Sequence, residues 1–389
     1  MKQTTIAFLH DQFPIGGAEK MTLVLADELR QRGMRTVVLC KNFHPELMPE
    51  DSHIHVIQYR HKTKKLKSAD EIIDYIKKEK IQVLTFVVWA PHYVNYIRQN
   101  TNCKIVFANH GMPFWEAASK KDKKRRLAFG KTIDRLKWYF YYHWKCDISH
   151  AYDKKVHERY RKCLTEVDAY TVLCEAYRDE IADTLQLNRS LRDKIYVIPN
   201  YQEPNEHPQL EKEKVVLFVG RLTYADKRVD RLLRIWKRVE EQVPEWRLEI
   251  VGDGDEEENL KTQAAELQLT RVKFEGRQQP QPYYDRAAIF CLTSSSEGWG
   301  LVITEAQTNG VVPIAFACSA GTETLISPSG INGILVAPFD EEEYSEQLLK
   351  LIQDESLRLS IQHNILKKKY PRNDVCQRYM QLYEELLKP

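Results

Sequence analysis

Residues 195–220 read IYVIPNYQEPNEHPQLEKEKVVLFVG. Two apolar runs, IYVIPN and KVVLFVG, flank a stretch that holds Pro204 and Pro208 and shows no apolar period. Proline removes a backbone donor and blocks both helix and sheet interiors, so this stretch reads as a break between two folded segments. Outward from it the same pattern recurs on both sides. Toward the N-terminus the short apolar runs are TIAFLH (5–10), RTVVLC (35–40), HIHVIQY (53–59), QVLTFVV (82–88), KIVFAN (104–109) and AYTVLC (169–174). Toward the C-terminus they are RLEIVGDG (247–254), VKFEG (272–276), AIFCLTS (288–294), VVPIAF (311–316) and NGILVAP (332–338). Segments of helical period separate them; over Ala18 to Arg32, Met21, Val24, Leu25 and Leu29 share a stripe that Gly33 stops. Strands alternating with helices imply an α/β chain whose parallel sheets are covered on both faces. The expected architecture is two doubly wound, Rossmann-like domains, residues 1–200 and 214–370, joined by a linker at 201–213. They are expected to face across a cleft lined by the carboxyl ends of both sheets. A last helix within 371–389, from Asp374 to Leu387, is expected to pack back on the first domain.

The chain has 389 residues, 43% hydrophobic and 29% charged, which suits two or three packed domains and excludes wholesale disorder. No run approaches the roughly 18 apolar residues of a membrane span, and the first apolar run is too short for a secretory signal. The eight cysteines are scattered, without C-x-x-C or a histidine at metal-ligand spacing. They read as reduced thiols of a cytoplasmic protein, with no metal site. Net charge is only +3, but residues 1–200 carry 35 Lys and Arg against 24 Asp and Glu, and the remainder is acidic. Between Lys120 and Lys162 there are 15 basic and 5 acidic residues, so the first half is expected to face something anionic.

Several stretches carry chemistry. HDQFPIGGAEK (10–20) follows the first strand and opens a helix, and Gly16 and Gly17 leave backbone amides open to an anion such as a diphosphate. It lacks G-x-G-x-x-G, and a ligand-free Gly-Gly turn would read the same. His110, past KIVFAN, falls at a strand's carboxyl end, where either a substrate contact or a structural histidine fits. In VVLFVGRLTYADKR (215–228), Arg221 can grip phosphate oxygens in pairs and Lys227 adds a point charge, together able to neutralise a diphosphate without metal. Two solvated charges at a helix start are the plain alternative, although cations there oppose the helix dipole. In SSSEGWGLVITEAQTNGVVPIAF (294–316), Glu297 precedes a helix and Glu305 lies within it. A separation of up to roughly 12 Å excludes a shared proton and suits hydroxyls at two ends of an extended ligand. Gly298 and Gly300 free the backbone between them, so the amides of Trp299, Gly300 and Leu301 can point at phosphate or sugar oxygens. An acidic cap and an exposed glutamate would also explain these residues.

Taken together, the Gly-Gly loop, NHG after the fifth strand, VIPN, GRL with DK, VGDG and the Glu-x7-Glu of EGWGLVITE resemble a retaining, nucleotide-sugar-dependent glycosyltransferase of family 4 with the GT-B fold. The resemblance covers nearly the whole chain, including SAGTETLISPSGINGILVAPFD (319–340). It implies that Glu305 binds ribose hydroxyls, Glu297 lies near the transferring sugar, and Arg221 and Lys227 hold the diphosphate. Gly17, beside Gly16, would approach the diphosphate from the other domain, and His110 would contact the sugar near its anomeric carbon. Gly252 and Arg277 complete the implied donor site. The implied donor is a UDP-sugar by family frequency, with no metal or other cofactor. Departures are Trp299 where members often have Phe, Ala306-Gln307 where they have Ala-Met, and Ala320-Gly321-Thr322-Glu323 where Gly-Gly-x-x-Glu is commonest. These bear on sugar identity more than on reaction class.

The stretch 117–162 reads as a basic, aromatic helical insertion in which Trp138, Tyr139, Phe140, Tyr141, Tyr142 and Trp144 interleave with Lys and Arg. That mixture suits an anionic lipid surface, with Lys120, Lys121, Lys124, Arg125 and Arg126 as contacts and Trp138 or Trp144 inserting. Nucleic acid is not expected, because no nucleic-acid module accompanies it, and a solvated basic face whose aromatics pack inward is the plain alternative. The function expected is therefore transfer of a sugar to a lipid-linked or cell-envelope glycan, peripheral on the inner face of the cytoplasmic membrane. Two other readings stay open: a nucleotide-sugar epimerase of similar form, and a non-catalytic nucleotide-sugar-binding protein.

Overall fold

The computed structural model describes residues 3–59, 65–87, 93–129, 131–368 and 371–388. The chain divides into two units, one of Met1–Asn200 with Asn373–Pro389 and one of Tyr201–Arg372. The first contains β1 (Thr5–Phe13), β2 (Arg35–Phe43), β3 (His55–Gln58), β4 (Val83–Phe86), β5 (Lys104–Ala108), β6 (Ala169–Val172) and β7 (Ile195–Val197). The second contains β8 (Glu213–Val219), β9 (Arg247–Val251), β10 (Val272–Gly276), β11 (Ala287–Leu292), β12 (Val312–Phe316) and β13 (Ile334–Val336). All described strand pairs are parallel. The orders are β3-β2-β1-β4-β5-β6-β7 and β10-β9-β8-β11-β12-β13. Each order reverses direction beside its first strand, between β1 and β4 and between β8 and β11. A doubly wound sheet leaves a crevice outside the carboxyl ends of its strands at such a point.

Strands β4, β6, β11 and β12 are buried at every position. Helices cover both faces, so such strands read as unbroken apolar runs. Burying each of these aliphatic side chains contributes about 1.5–3 kcal/mol. Strand β1 differs from the sequence expectation by running on through His10 to Phe13, paired with β2 as far as Phe13↔Phe43. His10 is therefore a fully buried strand residue and not part of a loop. The helix after it spans Gly17–Gln31, and Thr22 and Ala26 join Met21, Leu25 and Leu29 in its buried face, while Val24 stays partly exposed. The small shift of face has a cause: the Thr22 hydroxyl lies 3.0 Å from His10 Nε2, so a polar pair occupies the core there.

Between β5 and β6 the chain is helical, chiefly over Trp115–Arg125, Thr132–Ile148 and Ala151–Glu166. The closing helix, Arg372–Leu387, belongs with the first unit. Its buried Tyr383 hydroxyl lies 3.1 Å from Thr85 Oγ1, and Arg378 donates to the Val197 carbonyl at 3.1 Å. The linker is tied to the second unit, where the Lys212 ammonium donates to the carbonyls of Tyr284, Asp285 and Asn309 at 2.8–2.9 Å. All eight cysteines are free, and seven are buried. Among the described residues no helix is long and apolar enough to cross a membrane.

Candidate active site

In the second unit, the loops after β8 and β11 meet at the reversal point of the sheet. The Thr293 hydroxyl donates to the Arg228 carbonyl at 3.1 Å, and the Ser295 amide donates to the Asp226 carbonyl at 2.7 Å. These bonds bring residues about 70 positions apart into one cluster. Lys227 Nζ lies 2.7 Å from Glu297 Oε1, and the two side chains are only 13% and 10% exposed. The Ser294 hydroxyl donates to the same carboxylate oxygen at 2.6 Å. Burial opposes the charge on Lys227, yet the attraction and hydrogen bond of Glu297, with Asp226 behind them, hold its ammonium above its ordinary range. An ammonium has three N–H donors, and the bond to Glu297 uses one of them.

Arg221 sits directly after Gly220, with its side chain 74% exposed and one long bond to Asp226 at 3.4 Å. Asp226 also accepts from the Thr223 hydroxyl, so it steadies the loop that carries both cations. Gly252 brings the loop after β9 against this one. A Cβ there would stand 1.9 Å from the Gly220 carbonyl oxygen, and at Gly254 one would stand 2.3 Å from that of Leu222. No side chain fits such contacts, which explains the glycines of VGDG by packing. The same loop spells Asp253-Gly254-Asp255, an Asp-x-Asp triplet.

Gly300 caps the Leu301–Thr308 helix in the left-handed region, at φ 82°, which favours glycine. First-turn amides of a helix have no carbonyl one turn back, so those at Leu301 and Val302 suit an anion or hydroxyl. Trp299, just before them, is 5% exposed, and its Nε1 has no hydrogen-bond partner. Its side chain belongs to the packing under the loop, so only its backbone is placed to serve a ligand. Glu305, in the second turn, accepts from the Tyr284 hydroxyl at 3.1 Å. Burial first, and then the Glu305 carboxylate, hold the Tyr284 phenol well above its ordinary range, so it stays a donor. Arg277 is exposed just past β10, the edge strand, whose last residue Gly276 accepts from the Gly252 amide at 2.8 Å.

The remaining residues belong to the first unit. Gly16 precedes the Gly17–Gln31 helix, and the Glu19 carboxylate lies against it, 2.2 Å from where a Cβ would sit. Glu19 also lies 3.2 Å from His10 Nδ1. An anion approaching the Gly16–Gly17 amides would thus meet a carboxylate, which disfavours a bare diphosphate there and favours a hydroxyl. His110 follows β5, and its Nδ1 lies 3.0 Å from Asn200 Oδ1. Burial pushes the His110 imidazole down to about 4, against the pull of the Asn200 bond, with His10 adding to the effect. Between about 4 and the ordinary 6.5 the unfolded chain therefore binds a proton that the folded chain does not, so this group adds stability as pH rises through that window. Asp226, Tyr284, Ser294 and Asn200 escaped the reading of motifs. Asn200 carried a signal as the last letter of VIPN, and Asp226 as the first of DK, but neither was read for a role.

Residues 15–206 match the family model for Glycosyltransferase Family 4, and residues 200–368 match that for Glycosyl transferases group 1. The chain belongs to glycosyltransferase family 4. An uncharacterized glycosyltransferase of Haemophilus influenzae is 36% identical over 202 residues, which is 51% of this chain and 55% of that protein. The amylovoran biosynthesis glycosyltransferase AmsD of Erwinia amylovora is 36% identical over 149 residues, 38% of this chain and 41% of its own. The chain spans about half the length of these curated relatives. Among solved structures, Anabaena Alr3699/HepE in complex with UDP and glucose superposes with a TM-score of 0.74 at 17% identity, over 98% of this chain and all of that one. The lipopolysaccharide outer core galactosyltransferase WaaB gives 0.69 at 18%, over 99% and 100%. The fold of this family-4 chain is accordingly GT-B, two Rossmann-like units of parallel sheet.

The ribose contact expected of Glu305 can be tested at one carboxylate. Replacing it by Ala should weaken nucleoside diphosphate binding by about 1.5–3 kcal/mol, the scale of one hydrogen bond to a charged group. Calorimetry reads this directly. Unchanged affinity in a folded variant removes Glu305 from the donor site.

Proposed function

We propose that this chain transfers a sugar from a UDP-sugar to a lipid-linked or cell-envelope glycan, with retention at the anomeric carbon and without a metal ion. The observation that carries the proposal is the Lys227–Glu297 pair beside exposed Arg221, on two loops that meet at the reversal point of the second sheet. In this reading the C1–O bond to the diphosphate breaks as the acceptor oxygen bonds C1 on the same face. The acceptor proton passes to the departing phosphate oxygen. Arg221 and Lys227 stabilise the charge that develops there, a role worth most in a partly desolvated site. Glu305 holds the ribose, and Glu297 keeps Lys227 charged and in place. The choice of uridine draws on a solved relative bound to UDP and glucose. The glycan acceptor draws on relatives such as the lipopolysaccharide 1,6-galactosyltransferase of Salmonella typhimurium, 25% identical over 223 residues.

The reaction is tested by incubating the chain with UDP-sugars and extracted lipid-linked glycans in EDTA, and following UDP release and the product's anomeric coupling. Acceptor-dependent release with an unchanged anomer supports the proposal. Activity abolished by EDTA and restored by magnesium or manganese would overturn the metal-free part, and Asp253 and Asp255 would then be the first residues to replace.

The proposal also places the first unit on an anionic membrane. The helical run 132–148 exposes Ile133, Leu136, Phe140, Trp144 and Ile148, spaced three or four residues apart, with Phe140 82% exposed. Lys131 and Arg135 stand exposed beside this apolar stripe. An apolar stripe flanked by cations suits the boundary between lipid headgroups and acyl chains. Four of the five cations named from composition also have contacts within the chain. Lys121 pairs with Asp153 at 2.8 Å and Arg125 with Asp147 at 2.6 Å, while Lys120 and Lys124 lie over the rings of Tyr152 and Tyr142. The Arg126 side chain lies outside the described residues. Trp138 is buried, which leaves Trp144 as the tryptophan able to insert. Sedimentation with vesicles rich in phosphatidylglycerol should bring down the protein, and Phe140→Ser with Trp144→Ser should cut binding at least tenfold even at low salt. Equal, small binding to neutral and anionic vesicles would make the stripe an ordinary surface.

A further inference from the structure

A cavity of about 420 Å³ opens within the first unit, between the later turns of the Gly17–Gln31 helix, the start of β2 and the segment that leads into β3. It lies at the amino end of β2. At about 3.3 Å per residue, Thr36 is roughly 23 Å along that strand from Phe43 at the carboxyl end. The volume falls in the range of roughly 300–1,000 Å³ usual for ligand pockets. Leu23, Met34 and Ile54 give it an apolar wall. Thr36, also in the wall, is 6% exposed, and its hydroxyl has no hydrogen-bond partner. A buried hydroxyl left unpaired is a cost that a ligand's own hydroxyl would relieve.

The charged groups decide the class of ligand. Arg30 and Arg35 line the cavity together with Asp27 and Asp51, two guanidiniums against two carboxylates. Asp27 accepts from Arg30 at 3.1 Å and from the Gln31 side chain at 3.2 Å, and Arg35 donates to Glu79 at 2.6 Å. A bare anion or cation would meet its own sign here as often as the opposite one. A sugar hydroxyl donates and accepts at once, so it can join a carboxylate and a guanidinium and leave neither unpaired. The C–H face of the same ring suits the apolar wall. We propose that this cavity binds a neutral hexose residue of a glycan, with Thr36, Asp51 and the Asp27–Arg30 pair as its polar contacts. That the glycan is a distant part of the acceptor chain rests on the proposed transfer reaction, whereas the sugar site does not.

Carbon–proton NMR on the full chain labelled at the methionine methyl groups reads the cavity directly, with the Met34 signal assigned through Met34→Leu. Maltotetraose, galactotetraose and chitotetraose are titrated beside glucose, galactose and N-acetylglucosamine to about 20 mM, which reaches millimolar dissociation constants. At least one tetrasaccharide should shift the Met34 methyl saturably and bind more tightly than its monosaccharide. Thr36→Val deletes an unpaired hydroxyl and should fold normally. It should weaken that binding roughly fivefold, about the scale of one neutral hydrogen bond, and Asp51→Ala should weaken it at least as much. No Met34 shift with any of the six sugars, or an affinity that both variants leave unchanged, overturns the proposal. A Met34 shift with inorganic phosphate or glycine in place of the sugars overturns the choice of a neutral ligand. Monosaccharides that bind as tightly as tetrasaccharides overturn the glycan and leave a site for a free sugar. If the Met34 shift and both losses appear but no acceptor supports UDP release, the transfer reaction falls and the sugar site stands.

Discussion

Arg221→Ala is expected to lower turnover roughly 100- to 1000-fold, the scale for removing one transition-state stabiliser, while leaving thermal stability unchanged. Both halves of this expectation come from geometry. The side chain is largely in solvent with one long bond to Asp226, so its loss leaves no buried group unsatisfied. Its position directly after β8 still puts a guanidinium where a diphosphate would collect charge in the proposed reaction. Lysine is not an equal substitute, since a point charge lacks the planar fork that grips two phosphate oxygens. Arg221→Lys should therefore recover only part of the loss. Steady-state kinetics with a thermal melt on the same samples checks both halves, and full activity in Arg221→Ala would remove Arg221 from the mechanism.

Lys227→Met should be costly in a different way. Lys227 and Glu297 form a nearly buried pair, and removing one partner of such a pair leaves an uncompensated charge at a cost of about 3–5 kcal/mol. Both stability and turnover should fall. Adding Glu297→Gln removes the stranded charge, so the double variant should regain most of the stability. It should not regain turnover, because the cation for the leaving diphosphate is still missing. Urea unfolding of the two single variants and the double variant gives the coupling. A double variant with normal turnover would show that the pair only holds the loops together.

The two sheets were legible in the sequence because strands buried on both faces leave uninterrupted apolar runs. That same signal failed where polar residues lie within a strand. His10, Asp11 and Gln12 end the run TIAFL, yet β1 continues because its backbone still pairs with β2. The helix after it turns a different face inward because Thr22 meets His10, a contact that no helical period reveals. Motif letters identified Arg221, Lys227, Glu297 and Glu305 but not who holds them. Lys227 with Glu297, Tyr284 with Glu305 and His110 with Asn200 are partners set by the order of the strands and not by spacing along the chain. Charge counting had a similar limit in the basic insertion. It registered 15 cations between Lys120 and Lys162, but Asp147 and Asp153 hold two of the five named for lipid contact, and the exposed apolar stripe lies on the next helical run.

The central claim is that the second unit binds a nucleoside diphosphate sugar through Arg221, Lys227 and Glu305 without metal. Isothermal titration of the whole chain with UDP-hexoses in EDTA tests it most directly. The account predicts saturable one-to-one binding to at least one of them, weakened at least tenfold by Arg221→Ala and by Glu305→Ala in folded protein. Binding that appears only with added magnesium or manganese, or that both variants leave unchanged, would contradict it.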